Sequence, residues 1–360
     1  MRELILHIGM NKTGSTTLQR ALDGLDDDGL LYPRLGSADH GYALVLAYRT
    51  ALPSFFAPLS PDRHAVERQA CRKRVRAAYG LDSRSVVLSS EFLSIFRDVT
   101  DIATLVQDAS PHFDRIRAIG YVRDPVGYMT SGLQEAARRN DVPDDGLRTL
   151  YPRYRPRLQP WLDRLGPENV DLVRFDPETF RGGDLVADFA HRLGISAENL
   201  AQPGNINPSL SAEAVAVLLA YHRHLGARPA PERRDAWRHG RLLTALQTFG
   251  ASRLALDPAV MEKFLAARRH DVDWAEAQIG EAFGNRCFTD GRVFAGPADL
   301  RAFGEGLATP LAEWARGISP RVDVAGKGVA EILGAVVAAQ TALPSTERVV
   351  RSLYRRLRGR

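Results

Sequence analysis

A chain of 360 residues with 44% hydrophobic and 8% aromatic side chains has enough apolar material for one large domain or two modest ones, which excludes a disordered or fibrous protein. Its two cysteines, Cys71 and Cys287, stand far apart with no CxxC, so a disulfide scaffold and a thiolate zinc site are both excluded and a reducing cytosol is the expected compartment. The net charge of +5 rests on 44 arginines and only four lysines (Lys12, Lys73, Lys263 and Lys327), with arginines and acids interleaved as on a solvated surface, so no nucleic-acid partner is expected.

In chain order, an apolar run closed by glycine predicts a strand over 3–9, followed by a helix over 16–25. Further strands are predicted over 85–90, 115–122 and 169–175. Amphipathic helices are predicted over 63–79, 101–112, 125–139, 151–165 and 184–193. Strands alternating with helices imply right-handed crossovers, hence a three-layer α/β fold: a parallel sheet flanked by helices, with ligands at the carboxyl ends of the strands. After residue 205 the character changes. Helical segments, the first over 209–222 with a capping serine at Ser211, run to about residue 340, and 227–241 is rich in arginine and proline as in a loop or lid. The expected organisation is an α/β core over 1–205, a helical region over 206–340 that shapes an acceptor site, and a tail over 341–360. That tail carries six arginines and one acid from Glu347 onward, with apolar residues at helical spacing, and so suits peripheral contact with the inner face of a membrane. No run reaches the ~18 uncharged apolar residues of a membrane span, and no cleavable leader is apparent, so a soluble cytoplasmic chain is expected.

The densest chemistry is Gly9-Met-Asn-Lys12-Thr-Gly14-Ser-Thr-Thr17, directly between the first strand and the first helix. Backbone amides at a helix start, the helix dipole and the hydroxyls of Ser15, Thr16 and Thr17 all favour a phosphate group, glycine admits its close approach, and Lys12 adds a mobile positive charge. The loop differs from the Gly-x4-Gly-Lys-Ser/Thr pattern of nucleotide triphosphatases, because Lys12 precedes Gly14. A second element, Tyr121-Val-Arg123-Asp124-Pro125, ends the third of the strands named above and opens a helix that carries Ser131. Asp124 suits a cap and Pro125 the first helical turn, which puts Arg123 at a strand's carboxyl end.

Together the two elements resemble the sulfotransferases that use 3′-phosphoadenosine 5′-phosphosulfate, particularly the bacterial members. The resemblance implies that Lys12, Thr13, Gly14, Ser15, Thr16 and the adjacent Thr17 hold the 5′-phosphosulfate, that Arg123 and Ser131 hold the 3′-phosphate, and that adenosine 3′,5′-bisphosphate is the product. Weaker likeness covers Ser89-Ser-Glu91 and Asn207-Pro-Ser-Leu-Ser211, so the first 210 residues or so are included. It further implies sulfuryl transfer to a hydroxyl, or an amine; a glycan, polar lipid or small-molecule acceptor is expected because a helical annex and an arginine-rich surface suit bulky or anionic acceptors. No metal is expected, because a sulfuryl group has less charge than a phosphoryl group and no acidic metal motif stands beside the loop. Two separated cationic sites are also what a donor carrying about four negative charges requires. Glu91 at a strand end is the candidate general base, and His40 in Ala38-Asp-His-Gly-Tyr42 is its competitor. His7, inside the first strand, reads as a satisfied core histidine. Where phenol-modifying members have a tryptophan after the loop, this chain has Thr17 and Leu18. Ala325-Gly-Lys327-Gly328 matches the family's glycine-lysine segment too loosely for a role to be assigned to Lys327. The alternatives are a phosphotransferase or kinase of the P-loop class, expected to need magnesium, and a non-catalytic nucleotide-binding module that keeps both cations without a base.

Overall fold

In the computed structural model, residues 1–27, 29–53, 60–96, 98–142, 146–203, 209–225, 233–284, 291–320 and 322–341 are described. The basic tail therefore lies outside the described residues, apart from residue 341. In chain order the elements are β1 (Glu3–His7), α1 (Ser15–Leu22), β2 (Leu30–Leu31), α2 (Gly41–Tyr48), α3 (Pro61–Tyr79), β3 (Ser85–Ser89), α4 (Val99–Ala109), β4 (Arg115–Val122), α5 (Pro125–Arg139), α6 (Tyr154–Leu165), β5 (Val170–Arg174) and α7 (Leu185–Leu193). They continue as α8 (Ala212–Leu225), α9 (Arg233–Leu246), β6 (Leu254–Leu256), α10 (Pro258–Ala266), α11 (Arg269–Ile279), β7 (Arg292–Phe294), α12 (Pro297–Glu305), α13 (Ala308–Ile318) and α14 (Val329–Thr341).

Two compact units form. The first takes residues Met1–Tyr128, Pro152–Ile206 and Phe264–Arg286; the second takes Met129–Tyr151, Asn207–Lys263 and Cys287–Arg360. In the first unit a fully parallel sheet runs in the order β2-β3-β1-β4-β5. Its strands are near-continuous apolar runs because both faces are covered. Leu4, Leu6, Val86, Leu88, Ala118 and Val122 pack on one side with α2, α3, α4 and α6. Ile5, Val87, Ile119 and Tyr121 pack on the other with α1 and α7. This is the three-layer α/β arrangement expected from the sequence. Because β3 and β4 flank β1 on opposite sides, the strand order reverses there and opens a crevice at the carboxyl ends of these three strands. His7, Ser89 and Ile119 occupy one register row beside it.

In the second unit α8 is buried on every side from Ala214 to His222 and packs against α12 and α14. Gly304 on α12 lies so close to the Ala216 carbonyl that a side chain there would overlap it. Two short strands, β6 and β7, pair in parallel. The arginine-rich stretch read as a loop or lid is helical from Arg233 onward. Its prolines, Pro229 and Pro231, both precede that start, so nothing after them interrupts a helix. Among the described residues no helix is long and apolar enough to cross a membrane.

Candidate functional site

The loop after β1 is held open by its own backbone. Lys12 has φ 67° and Gly14 φ 75°, both in the left-handed region, and Thr13 closes the turn by donating from Oγ1 to the Met10 carbonyl at 2.6 Å. Gly14 is the N-cap of α1, with no side chain capping it. The Thr17 amide donates to the Gly14 carbonyl at 2.9 Å, which leaves the amides of Ser15 and Thr16 as the first-turn donors without a preceding helical carbonyl to receive them. Thr16 is exposed and Thr17 half-exposed, whereas Ser15 is buried with its Oγ making no hydrogen bond within the protein. An uncapped helix start, a lysine beside it and a buried hydroxyl without a partner together make an anion cradle. The buried Ser15 hydroxyl and the uncapped helix start fit the 5′ end of a nucleotide donor.

Gly14 cannot be replaced freely. A Cβ there would overlap the Leu185 methyl and adopt the left-handed φ. Gly14→Ala is expected to lower stability by about 1–3 kcal/mol, read as a drop in the denaturation midpoint. A midpoint equal to wild type would show that the loop relaxes around the methyl group.

Arg123 comes directly off the end of β4 and reaches this loop, its Nη1 donating to the Lys12 carbonyl at 3.0 Å. The turn is built as its residues suggest. Asp124 Oδ1 accepts from the Gly127 amide at 2.7 Å and so caps α5, while Tyr154 Oη donates to the Arg123 carbonyl at 2.6 Å. The Arg123 guanidinium lies 5.5 Å from the Phe175 ring centroid. Ser131 is half-exposed on α5, two turns into the helix.

One cation was not singled out in the sequence. Arg157 on α6 donates from Nη1 to Asn11 Oδ1 and to Tyr128 Oη, each at 3.2 Å, which brings a third basic side chain to the Gly9–Gly14 loop. No local pattern marks it, because its partner is 146 positions away.

At the end of β3, Glu91 opens a short 3₁₀ helix (Glu91–Ile95) and is half-exposed; the preceding Ser90 caps that helix by accepting from the Phe92 amide. His40 is the residue before α2 and is buried. Its Nδ1 accepts from the Ser89 amide at 3.4 Å, and its ring stacks on Tyr32 at 4.2 Å. The neighbouring Asp39 accepts from the Gln19 amide at 3.3 Å and the Gly41 amide at 2.9 Å, and burial pushes its carboxyl above the usual range. His7, read as a satisfied core residue, is satisfied on one side only: Nδ1 lies 2.7 Å from Ser89 Oγ, while Nε2 has no hydrogen-bond partner within the protein.

Burial drives both histidines down from 6.5 to about 4. A folded pKa below the unfolded one means that the unfolded chain binds the extra proton, so the stability present above pH 6.5 is lost as pH falls towards 4. Each ring accounts for about 3 kcal/mol across that window. His7→Asn is expected to flatten the pH dependence of unfolding free energy between pH 6 and 4.5 by up to about 1.4 kcal/mol per pH unit, measured by urea denaturation. An unchanged slope would mean that His7 titrates normally in the folded protein.

Lys12, Thr13, Gly14, Ser15, Thr16, Thr17 and Arg123 thus gather around one loop, whereas Glu91 and His40 stand on the β3 side of the crevice. No protein-family profile matches the sequence, and no curated protein matches it. Among solved structures, the chain is similar to a sulfotransferase from Alicyclobacillus acidocaldarius, with 15% identity and a TM-score of 0.41, over 78% of this chain and 97% of that one. It is similar also to a sulfotransferase domain from the curacin biosynthetic pathway, at 15% identity and a TM-score of 0.32, over 54% of this chain and 74% of that one. A third similar structure is the sulfotransferase domain of the Synechococcus PCC 7002 olefin synthase, at 15% identity and a TM-score of 0.32, over 68% and 94% of the respective chains.

Proposed function

We propose that this chain is a sulfotransferase that moves the sulfuryl group of 3′-phosphoadenosine 5′-phosphosulfate onto a hydroxyl of a glycan, polar lipid or small-molecule acceptor. The observation that carries this reading is the Arg123 guanidinium seated on the Lys12 carbonyl at 3.0 Å, because it joins two separate cationic elements into one strand-end site. A nucleotide phosphorylated at both ends needs two such grips, and the uncapped start of α1 supplies the backbone donors for one of them.

In the proposed reaction the acceptor oxygen attacks sulfur in line as the bond from sulfur to the 5′-phosphate oxygen breaks, with adenosine 3′,5′-bisphosphate leaving. The acceptor's proton passes to a carboxylate. Charge builds on the leaving phosphate oxygen, where the Lys12 ammonium and the first-turn amides of α1 neutralise it. Arg123, with Ser131 as the family resemblance implies, takes the 3′-phosphate and fixes the donor's register.

We place the base at Glu91. His40 is only 1% exposed, and its Nδ1 already accepts from the Ser89 amide, so in the neutral ring Nε2, itself buried, carries the proton and has no lone pair to offer. Glu91→Gln is expected to reduce transfer about 10²–10⁴-fold with little change in donor binding, measured with labelled donor at saturation. If Glu91→Gln leaves transfer intact while Asp39→Asn or His40→Gln removes it, the base has been misplaced. The reading as a whole is tested by calorimetry: adenosine 3′,5′-bisphosphate should bind tightly without magnesium, and a preference for magnesium-ATP would replace it with phosphoryl transfer.

A further inference from the structure

Two buried groups beside the loop are left without a partner, one of them, His7, with no part in the chemistry above. Ser15 Oγ and His7 Nε2 are both shielded from solvent and make no hydrogen bond within the protein. They face the same point from different elements, the serine from the first turn of α1 and the histidine from the end of β1. A Cβ built on Gly9 would lie 2.5 Å from the serine oxygen and 2.7 Å from the ring nitrogen. Only glycine at position 9 leaves that space open to both. Burying two such groups unpaired costs about 1–3 kcal/mol each, a cost that a bond formed on ligand binding recovers.

We propose that His7 is a positioning residue for the donor site: when the donor binds, its Nε2–H comes to donate to Ser15 Oγ, a bond these two atoms do not make in the structure, and the serine then directs its own single proton at the anion held by the start of α1. The proton inventory fixes the tautomer. A serine hydroxyl that donates to an anion accepts only through its lone pairs, so Nε2 must carry the ring proton and Nδ1 must accept. Ser89 Oγ, 2.7 Å from Nδ1, is placed to supply that second proton from β3, the strand that leads into Glu91. The network His7, Ser89 and Ser15 thereby ties the β3 side of the crevice to the phosphate loop. It rests on the donor assignment made above.

The test uses the full chain and adenosine 3′,5′-bisphosphate as the probe. Asparagine reproduces the Nδ1 end of histidine and glutamine the Nε2 end. His7→Asn and Ser15→Ala are each expected to weaken binding about tenfold, the scale of one hydrogen bond. His7→Gln should stay within about threefold of wild type, and the double variant His7→Asn with Ser15→Ala should be no weaker than Ser15→Ala alone. In protein with ¹⁵N-labelled histidine, His7 should be the neutral Nε2–H tautomer, with its Nε2 resonance moving when the bisphosphate is added and not moving in Ser15→Ala. Additive single effects, an Nδ1–H tautomer, or a His7→Asn protein that binds like wild type would each overturn the proposal while leaving the donor assignment standing. Should His7→Asn fail to fold, the tautomer and the Ser15→Ala comparison still decide. A wild-type protein that does not bind the bisphosphate would remove the donor assignment, and this inference with it.

Discussion

Replacing Lys12 by glycine is expected to stabilise the protein by about 0.5–1 kcal/mol and to cut sulfuryl transfer on the order of 10²–10³-fold. The two effects have different sources in the same residue. With φ at 67°, Lys12 is one of three non-glycine residues in the left-handed region among the described residues, the others being Asn140 and Arg153. A side chain in that region costs about 1–2 kcal/mol, and glycine removes this cost while adding some freedom to the unfolded chain. Strain held at such a position points to a function that requires the residue. In the proposed reaction, losing the ammonium would remove the charge that meets the leaving phosphate oxygen, a contribution made mainly in the transition state. Lys12→Ala separates the two, since alanine keeps the strained φ but lacks the charge. Its transfer rate should fall as far as that of the glycine variant, with no gain in denaturation midpoint. A glycine variant less stable than wild type would show that the lysine side chain itself supports the loop. Near-normal turnover in either variant would rule Lys12 out as the leaving-group residue.

Much of the α/β frame was legible because a parallel sheet covered on both faces writes itself as apolar runs ended by glycine or a turn. β1, β3, β4 and β5 all appear within two residues of their predicted bounds. β2 is only Leu30 and Leu31, too short for any periodicity to register. α2 escaped for the opposite reason: nearly all of Gly41–Tyr48 is buried, so it has no polar face and no amphipathic pattern. The Gly9–Thr17 loop and the Arg-Asp-Pro turn were readable since each is a local motif, with glycine, cap and proline doing chemistry at fixed offsets. Arg157 and Asp39 were not, for their parts depend on tertiary neighbours, Asn11 for the one and Gln19 for the other. His7 lies between these cases. Its place in β1 was plain from the strand pattern, but that one ring nitrogen would bond Ser89 and the other point at Gly9 follows only from the pairing of β1 with β3.

Arg123→Ala is expected to weaken binding of adenosine 3′,5′-bisphosphate by about 2–4 kcal/mol, or roughly 30- to 1000-fold, while turnover at saturating donor changes far less. A guanidinium carries five donors in a planar fork, a geometry suited to meeting the Lys12 carbonyl and a phosphate together. The Phe175 ring and the bond from Tyr154 to the Arg123 carbonyl hold the residue from two further sides, so little conformational freedom remains to be lost on binding. Arg123→Lys retains the charge but cannot reach both the carbonyl and a phosphate in one geometry, and should recover only part of the affinity. A loosened loop alone would also weaken binding, and a second ligand tells the two causes apart. Adenosine 5′-phosphate has the same 5′ end and no 3′-phosphate. If Arg123 grips the 3′-phosphate, the alanine variant should bind adenosine 5′-phosphate nearly as wild type does, and the large loss should appear only with the bisphosphate. Equal losses for both ligands would mean that Arg123 acts through the Lys12 carbonyl and the loop it steadies, and the second cationic grip would then have to be sought elsewhere, with Arg157 the next residue to test.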